Sequence, residues 1–148
     1  MFDILAVVKA MADENRLRIL MALRGKELCV CTLSELLALA PSTTSKHLSI
    51  LKQARLIESV KDGKFVYYRL TMPESKNHSL AGPALAWLTE SLSETPQVET
   101  DAAMLQAIIE KGEQADPEIR AASKDHRLYR HVPGIHAIGD FRNRKTGA

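Results

Sequence analysis

The order of local signals between Thr32 and Leu70 constrains the fold of this chain more than any bulk property. Leu33-Ser34-Glu35-Leu36-Leu37-Ala38-Leu39 has helical spacing, Ala40-Pro41 interrupts it, and a second helical pattern runs from Pro41 or Ser42 to about Ala54. That second pattern puts Thr44, Leu48 and Leu51 on one face and Ser42, Thr43, Ser45, Lys46, Ser49, Lys52 and Gln53 on the other. Two β-rich runs follow at once, Leu56 to Val60 and Lys64 to Leu70, around Lys61-Asp62-Gly63. Asp-Gly between such runs signals a hairpin, because both central positions of a tight type I′ turn need positive φ. Helix, tight turn, helix, hairpin is the order of a winged helix-turn-helix, so the expected fold is mainly α with a small β-hairpin wing.

A helix that reads DNA needs small polar and basic side chains on its outer face, near the end that enters the major groove. Ser42, Thr43, Ser45 and Lys46 meet that requirement. Hydroxyls bond base edges or phosphates, and Lys46 suits a phosphate or a guanine. His47 reads either as a phosphate contact or as a packing residue. Lys61 and Lys64 flank the expected wing turn and would track the backbone beside the groove, adding salt-dependent affinity without sequence information.

Net charge over the 148 residues is only +2, so the chain as a whole does not announce a nucleic-acid partner. Its distribution does. Between Ser42 and Leu70, Lys46, Lys52, Arg55, Lys61, Lys64 and Arg69 face only Glu58 and Asp62. Such a patch on a helix-turn-helix is the footprint of a phosphate-binding face. The stretch from Glu94 to Glu118 is acidic, and the segment from Arg120 on is basic again. No apolar run reaches membrane-spanning length, and the start of the chain lacks a secretory pattern, so a cytoplasmic location with reduced thiols is expected.

Around the reader the sequence predicts further helices. Phe2 to Met11 carries Ile4, Val7, Val8 and Met11 at helical spacing, and Asp13 is placed to cap a helix from Glu14 to Leu23 that Gly25 stops. Thr32, with Glu35 three residues on, has the spacing of a capping box for a helix to Leu39. Ser79 to Ser93, with Pro83 in its first turn, has an apolar stripe of Leu85, Leu88 and Leu92. Thr95-Pro96 then reads as a break, with Thr100 or Asp101 capping a helix through Lys111 that Gly112 stops, and Asp116-Pro117 opening another to about Tyr129. Two units follow: 1–94 for DNA reading and dimerisation, and 95–148 as a helical extension with a loose tail. The first helix and the stripe of Leu85, Leu88 and Leu92 exceed what one small domain covers, which points to a homodimer.

The chain has two cysteines, Cys29 and Cys31, just before the reader. Residues two apart on a regular α-helix point about 200° apart, so they can share an ion only where the segment is extended or unwound. Binding there would compete with extension of the following helix toward its N-terminus. A helix N-terminus and Lys26 should lower the thiol pKa. Soft thiolates select As(III), Sb(III), Cu(I), Hg(II), Cd(II) or Zn(II) over hard cations. The bland reading is that both are small core residues, but a Cys-x-Cys pair in a chain with no other cysteine favours ligands. Closing the pair into a disulfide looks strained, which weighs against a redox or persulfide switch, the alternative use of the same thiols. A thiol enzyme lacks an evident acid–base partner, so no enzymatic role is expected. A constitutive architectural DNA binder is the remaining rival. His126, His131 and His136 have a spacing that matches no helical face and read as solvated tail histidines, the alternative being that one supplies a third ligand across a dimer.

Residues from about Asp3 to Thr71 resemble the ArsR/SmtB winged-helix repressors. The resemblance is carried by Met11-Ala12-Asp13-Glu14-Asn15-Arg16-Leu17-Arg18-Ile19-Leu20, by Thr43 to Leu51, and by the wing Asp62 to Leu70. Glu27-Leu28-Cys29-Val30-Cys31-Thr32-Leu33 is similar to the metal box of the arsenic-responsive branch. It implies a homodimeric repressor that leaves double-stranded operator DNA when arsenite, antimonite or another soft metal binds Cys29 and Cys31. Two positions depart from the family pattern. Ser34 stands where arsenic-type members often carry a third cysteine, so either two sulfurs plus an oxygen or nitrogen serve, or the chain senses something else. Arg55 stands where the family usually has the glycine that ends the recognition helix, a place to look for backbone strain. The zinc-type ligand set near the C-terminus has no counterpart, since His78 lacks partners at the needed spacing.

Overall fold

Apolar period and terminal chemistry agree at most helix positions, and there the chain folds as they dictate. The computed structural model describes residues 1–63, 65–72, 80–114 and 129–131. Lys64, His78, His126, His136 and nearly all of the helix expected from Asp116 lie outside the described residues. Helix α1 spans Phe2–Met11 and α2 spans Glu14–Ala22. Asp13 is extended (φ −156°, ψ 131°), and its carboxylate accepts the Arg16 N–H at 3.0 Å, the N-cap expected of it. Gly25, at φ 66°, turns the chain into strand β1, Lys26–Cys29.

Helix α3 spans Val30–Leu37 and α4 spans Pro41–Gln53. The capping box expected at Thr32 does not form. The strand runs up to Cys29, so Cys29 is the N-cap, and its sulfur accepts the Thr32 N–H at 3.4 Å. α3 ends at Ala38 in the left-handed region (φ 53°), which turns the chain within three residues into α4, with Pro41 in its first turn. The inner stripe of α4 is as expected: Thr44, Leu48 and Leu51 are buried. Arg55 at φ 60° does adopt the left-handed conformation that the family's glycine would take at less cost.

The wing is a hairpin of β2, Ile57–Asp62, and β3, Phe65–Leu70. Its turn lies one residue later than expected. Asp62 still pairs with Phe65, so Asp62 ends β2 and is not a central residue of the turn. Gly63 has φ 59°, and a Cβ there would meet nothing within 4 Å, so the glycine answers to the dihedral and not to crowding. The hairpin belongs to a larger antiparallel sheet than a bare wing. β1 pairs with β3, and on its other edge with β4, Tyr129–His131, giving the order β2-β3-β1-β4. Tyr129 therefore lies in a strand, where the end of a helix was expected.

Helix α5 spans Ala81–Leu92 and α6 spans Pro96–Gln114. Pro96 starts α6 and does not merely break what precedes it, because proline lacks only an N–H that the first turn leaves free anyway. The cap expected at Thr100 or Asp101 thus falls inside α6, and Gly112 does not stop it. Leu105, Ile108 and Ile109 are buried as expected and join one apolar core with Ile19, Leu20, Leu33, Leu36, Leu48 and Leu51. Asp101 is buried too, and takes a bidentate pair from Arg18 of α2 (Nε–Oδ2 2.7 Å, Nη2–Oδ1 2.9 Å) plus the Gln97 amide at 2.9 Å. That pair holds the Arg18 guanidinium pKa above its ordinary value. No helix among the described residues is long and apolar enough to cross a membrane.

Candidate nucleic-acid interface and thiol pair

The outer face of α4 is free for a partner. Ser42, Thr43, Ser45, Lys46, Ser49, Lys52 and Gln53 are all exposed, beginning at the end of the helix that would enter a groove. Lys61 is exposed on the wing beside them. Lys52 Nζ donates to Ser59 Oγ of β2 at 2.7 Å, tying the recognition helix to the wing. Arg69, counted in the basic patch, is turned away: it pairs with Glu27 and Glu58, each at 3.3 Å.

His47 also faces inward. Its Nδ1 lies 3.5 Å from Arg16 Nη1 and 3.8 Å from Asp13 Oδ1, and its side chain is 16% exposed. Arg16 at the same time donates to the α1 carbonyls of Ala10 (2.6 Å) and Lys9 (3.1 Å). Arg16 thus gathers the C-terminal end of α1, the start of α2 and the middle of α4. Sequence reasoning had passed over this junction, although Asp13 and Arg16 are three residues apart beside a helix start.

Cys29 and Cys31 come together where strand becomes helix. Cys29, the last residue of β1, sits opposite Tyr67 of the wing strand β3, and Cys31 is in the first turn of α3. Their Cα atoms are 5.4 Å apart and their sulfurs are joined in a disulfide. The strain expected of such a closure does not keep the pair apart. Cys29 is extended (φ −81°, ψ 165°), which removes the divergence a regular helix would impose and brings the pair inside the usual disulfide range. Cys29 is buried and Cys31 exposed. Thr32 Oγ1 lies 3.2 Å from the Cys29 sulfur.

Among the described residues no group of three or more His, Cys, Asp or Glu side chains is gathered for a metal. Once reduced, the pair supplies two soft sulfurs, one open to solvent. That donor set fits a thiophilic ion that accepts two sulfurs and keeps an oxygen ligand of its own, and does not by itself fit four-coordinate zinc. Ser34 is no substitute for a third thiolate. It is buried, and its hydroxyl donates to Thr44 Oγ1 at 3.0 Å, across to the recognition helix.

Among the described side chains of α1 and α5, Ile4, Leu5 and Val8 on the first and Trp87 on the second, 64% exposed, stay uncovered. Leu85 and Leu88, expected in a dimer stripe, are buried within the protomer.

Comparison with known proteins agrees with this geometry. A family model described as "Bacterial regulatory protein, arsR family" matches residues 13–59. The cadmium resistance transcriptional regulatory protein CadC of Listeria innocua is 48% identical over 61 residues, 40% of this chain and 51% of that protein. The arsenic resistance transcriptional regulator ArsR1 of Pseudomonas putida is 42% identical over 65 residues, 43% of this chain and 51% of that protein. The chain thus spans about half the length of these curated relatives. The solved structure of HlyU from Vibrio cholerae is 32% identical, with a TM-score of 0.52 over 62% of this chain and 94% of that one.

Proposed function

Because the chain belongs to the ArsR family of winged helix-turn-helix transcriptional regulators, we propose that it is a homodimeric repressor whose hold on operator DNA is set by Cys29 and Cys31. The observation that carries this is the position of the pair, between the wing strand β3 and the first turn of α3, the helix packed against the recognition helix. Ser42, Thr43, Ser45 and Lys46 read the groove, while Lys61 and Lys64 track phosphates. His47, whose Nδ1 faces Asp13 and Arg16, acts by orienting α4. Ile4, Leu5, Val8 and Trp87 meet their symmetry mates in the dimer. A two-fold dimer reads half-sites about 34 Å apart or a multiple of that.

The inducer is a thiophilic metalloid or metal, arsenite or antimonite first. Arsenite as As(OH)3 forms two As–S bonds with the two thiols, loses two hydroxides that leave as water with the two thiol protons, and keeps its third hydroxide, so no third cysteine is required. The Cys29 sulfur caps α3 even while bonded to Cys31, so exchanging its bonding partner for arsenic, which sets the two sulfurs further apart than a direct S–S bond, acts on the first turn of that helix. Relatives named for arsenic and for cadmium both support a soft-ion inducer. A second reading is favoured by the bonded sulfurs themselves. Here the two thiols pass two electrons and two protons to an oxidant, and the resulting disulfide is the released state.

The test is operator binding by reduced protein, followed by fluorescence anisotropy during separate titrations with arsenite, antimonite, Cd(II), Hg(II) and the thiol oxidant diamide. Release by arsenite or antimonite is expected. Release by diamide alone would move control to the redox reading, and release by none would overturn control through the thiols.

A further inference from the structure

Ser34 stands where a ligand would be expected, yet it is wired to the recognition helix. Its hydroxyl, buried among the apolar residues of α3, donates to Thr44 Oγ1 at 3.0 Å. The Thr44 hydroxyl in turn donates to the carbonyl of Ala40 at 3.2 Å. Ala40 is the N-cap of α4, the residue just before the end that carries Ser42 and Thr43. Both hydroxyls are shielded from water: Thr44 is 0% and Ser34 7% exposed. Ser34 lies three residues after Cys31, one turn further along the same helix. A change in the cap or first turn of α3 therefore reaches, within one helical turn, the polar link between the two helices that is most deeply buried.

We propose that Ser34 is a positioning residue that transmits the state of the Cys29–Cys31 pair to the recognition helix through Thr44 and Ala40. This rests on the reading above that the thiol pair controls DNA affinity. The link suits the task because a neutral hydroxyl pair is directional. A small rotation of α3 breaks it, and the freed Ser34 donor finds no water. The apolar contacts around it are non-directional and tolerate the same rotation.

The experiment compares wild type, Ser34→Ala, Ser34→Ala/Thr44→Val and the conservative Thr44→Ser, all reduced. Three quantities are read for each: operator Kd without effector, operator Kd with saturating arsenite, and arsenite bound per protomer from the As–S ultraviolet absorbance. Wild type should lose affinity about 5- to 150-fold on binding arsenite, the usual span of allosteric coupling. Ser34→Ala should bind the same arsenite and, alone, hold the operator within about threefold of wild type, yet lose less than about twofold affinity when arsenite is added. Thr44→Ser keeps the hydroxyl and should keep the wild-type ratio. The double variant removes both partners of the bond, a change that is close to neutral for folding, so it stands in should the single variant fail to fold. A full wild-type ratio in the folded variants that lack the link, with arsenite bound, would overturn the inference alone. Failure of wild type itself to release with arsenite, and with diamide in a parallel titration, would overturn the thiol-control reading, and the inference with it.

Discussion

Helix α4 and helix α6 both bury an apolar stripe in the same core, yet they are fastened to it by different chemistry. α4 is held by Leu48 and Leu51, has a neutral hydroxyl chain through Thr44 as its most deeply buried polar contact, and meets Arg16 and Asp13 through His47 and Ser59 through Lys52 nearer the surface. α6 is held by Val98, Leu105, Ile108 and Ile109 and by the charged Arg18–Asp101 pair. A neutral hydrogen bond contributes only about 1 kcal/mol net, whereas breaking a buried ion pair leaves an uncompensated charge. The brace is thus harder to reset than the reader. That is the arrangement a switch needs: an element that moves against one that does not.

Three substitutions would break or sharpen that contrast. Leu51→Ala should have the largest effect, since Leu51 is fully buried where α4 meets the core. A loss of about 3 kcal/mol in urea unfolding, with operator binding lost alongside it, is expected from the cavity. Asp101→Asn keeps the shape and removes the charge. It should cost about 2 kcal/mol, below the ~3–5 of a fully buried pair because the Arg18 side chain keeps 18% of its exposure. Operator affinity measured below the unfolding range should change little. If Asp101→Asn abolished arsenite release while leaving the fold intact, α6 would be part of the switch and the contrast would fail. Arg55→Gly should have the smallest effect, a gain of about 1 kcal/mol from relieving the left-handed conformation at φ 60°. A lower melting temperature in that variant would mean that Arg55 makes contacts outweighing its strain.

The reader was legible in the sequence almost residue by residue. The inner stripe of α4, the Asp13 cap and the paired β-runs all follow from short-range rules: helical period, side-chain capping and strand propensity. The discrepancies arise where a distant partner decides. Nothing local to Lys26–Cys29 announces a strand, because its register comes from Tyr67 and Tyr68 on one side and Tyr129 to His131 on the other. That strand moves the cap of α3 from Thr32 to Cys29, and in doing so lets the two sulfurs meet. Asp101 looked like a cap because an acid near a helix start usually is one; its partner, Arg18, lies 83 residues away. Ser34 was noticed only as a missing cysteine. Its bond to Thr44 depends on how α3 crosses α4, which spacing alone does not specify.

The most direct measurement is the operator affinity of reduced wild type beside the Cys29→Ser/Cys31→Ser double variant, each with and without arsenite. The account predicts equal affinity in the absence of arsenite, and a loss of at least about fivefold in wild type alone when it is present. Equal release from both proteins, or release from neither, would contradict arsenite control of this DNA reader through Cys29 and Cys31.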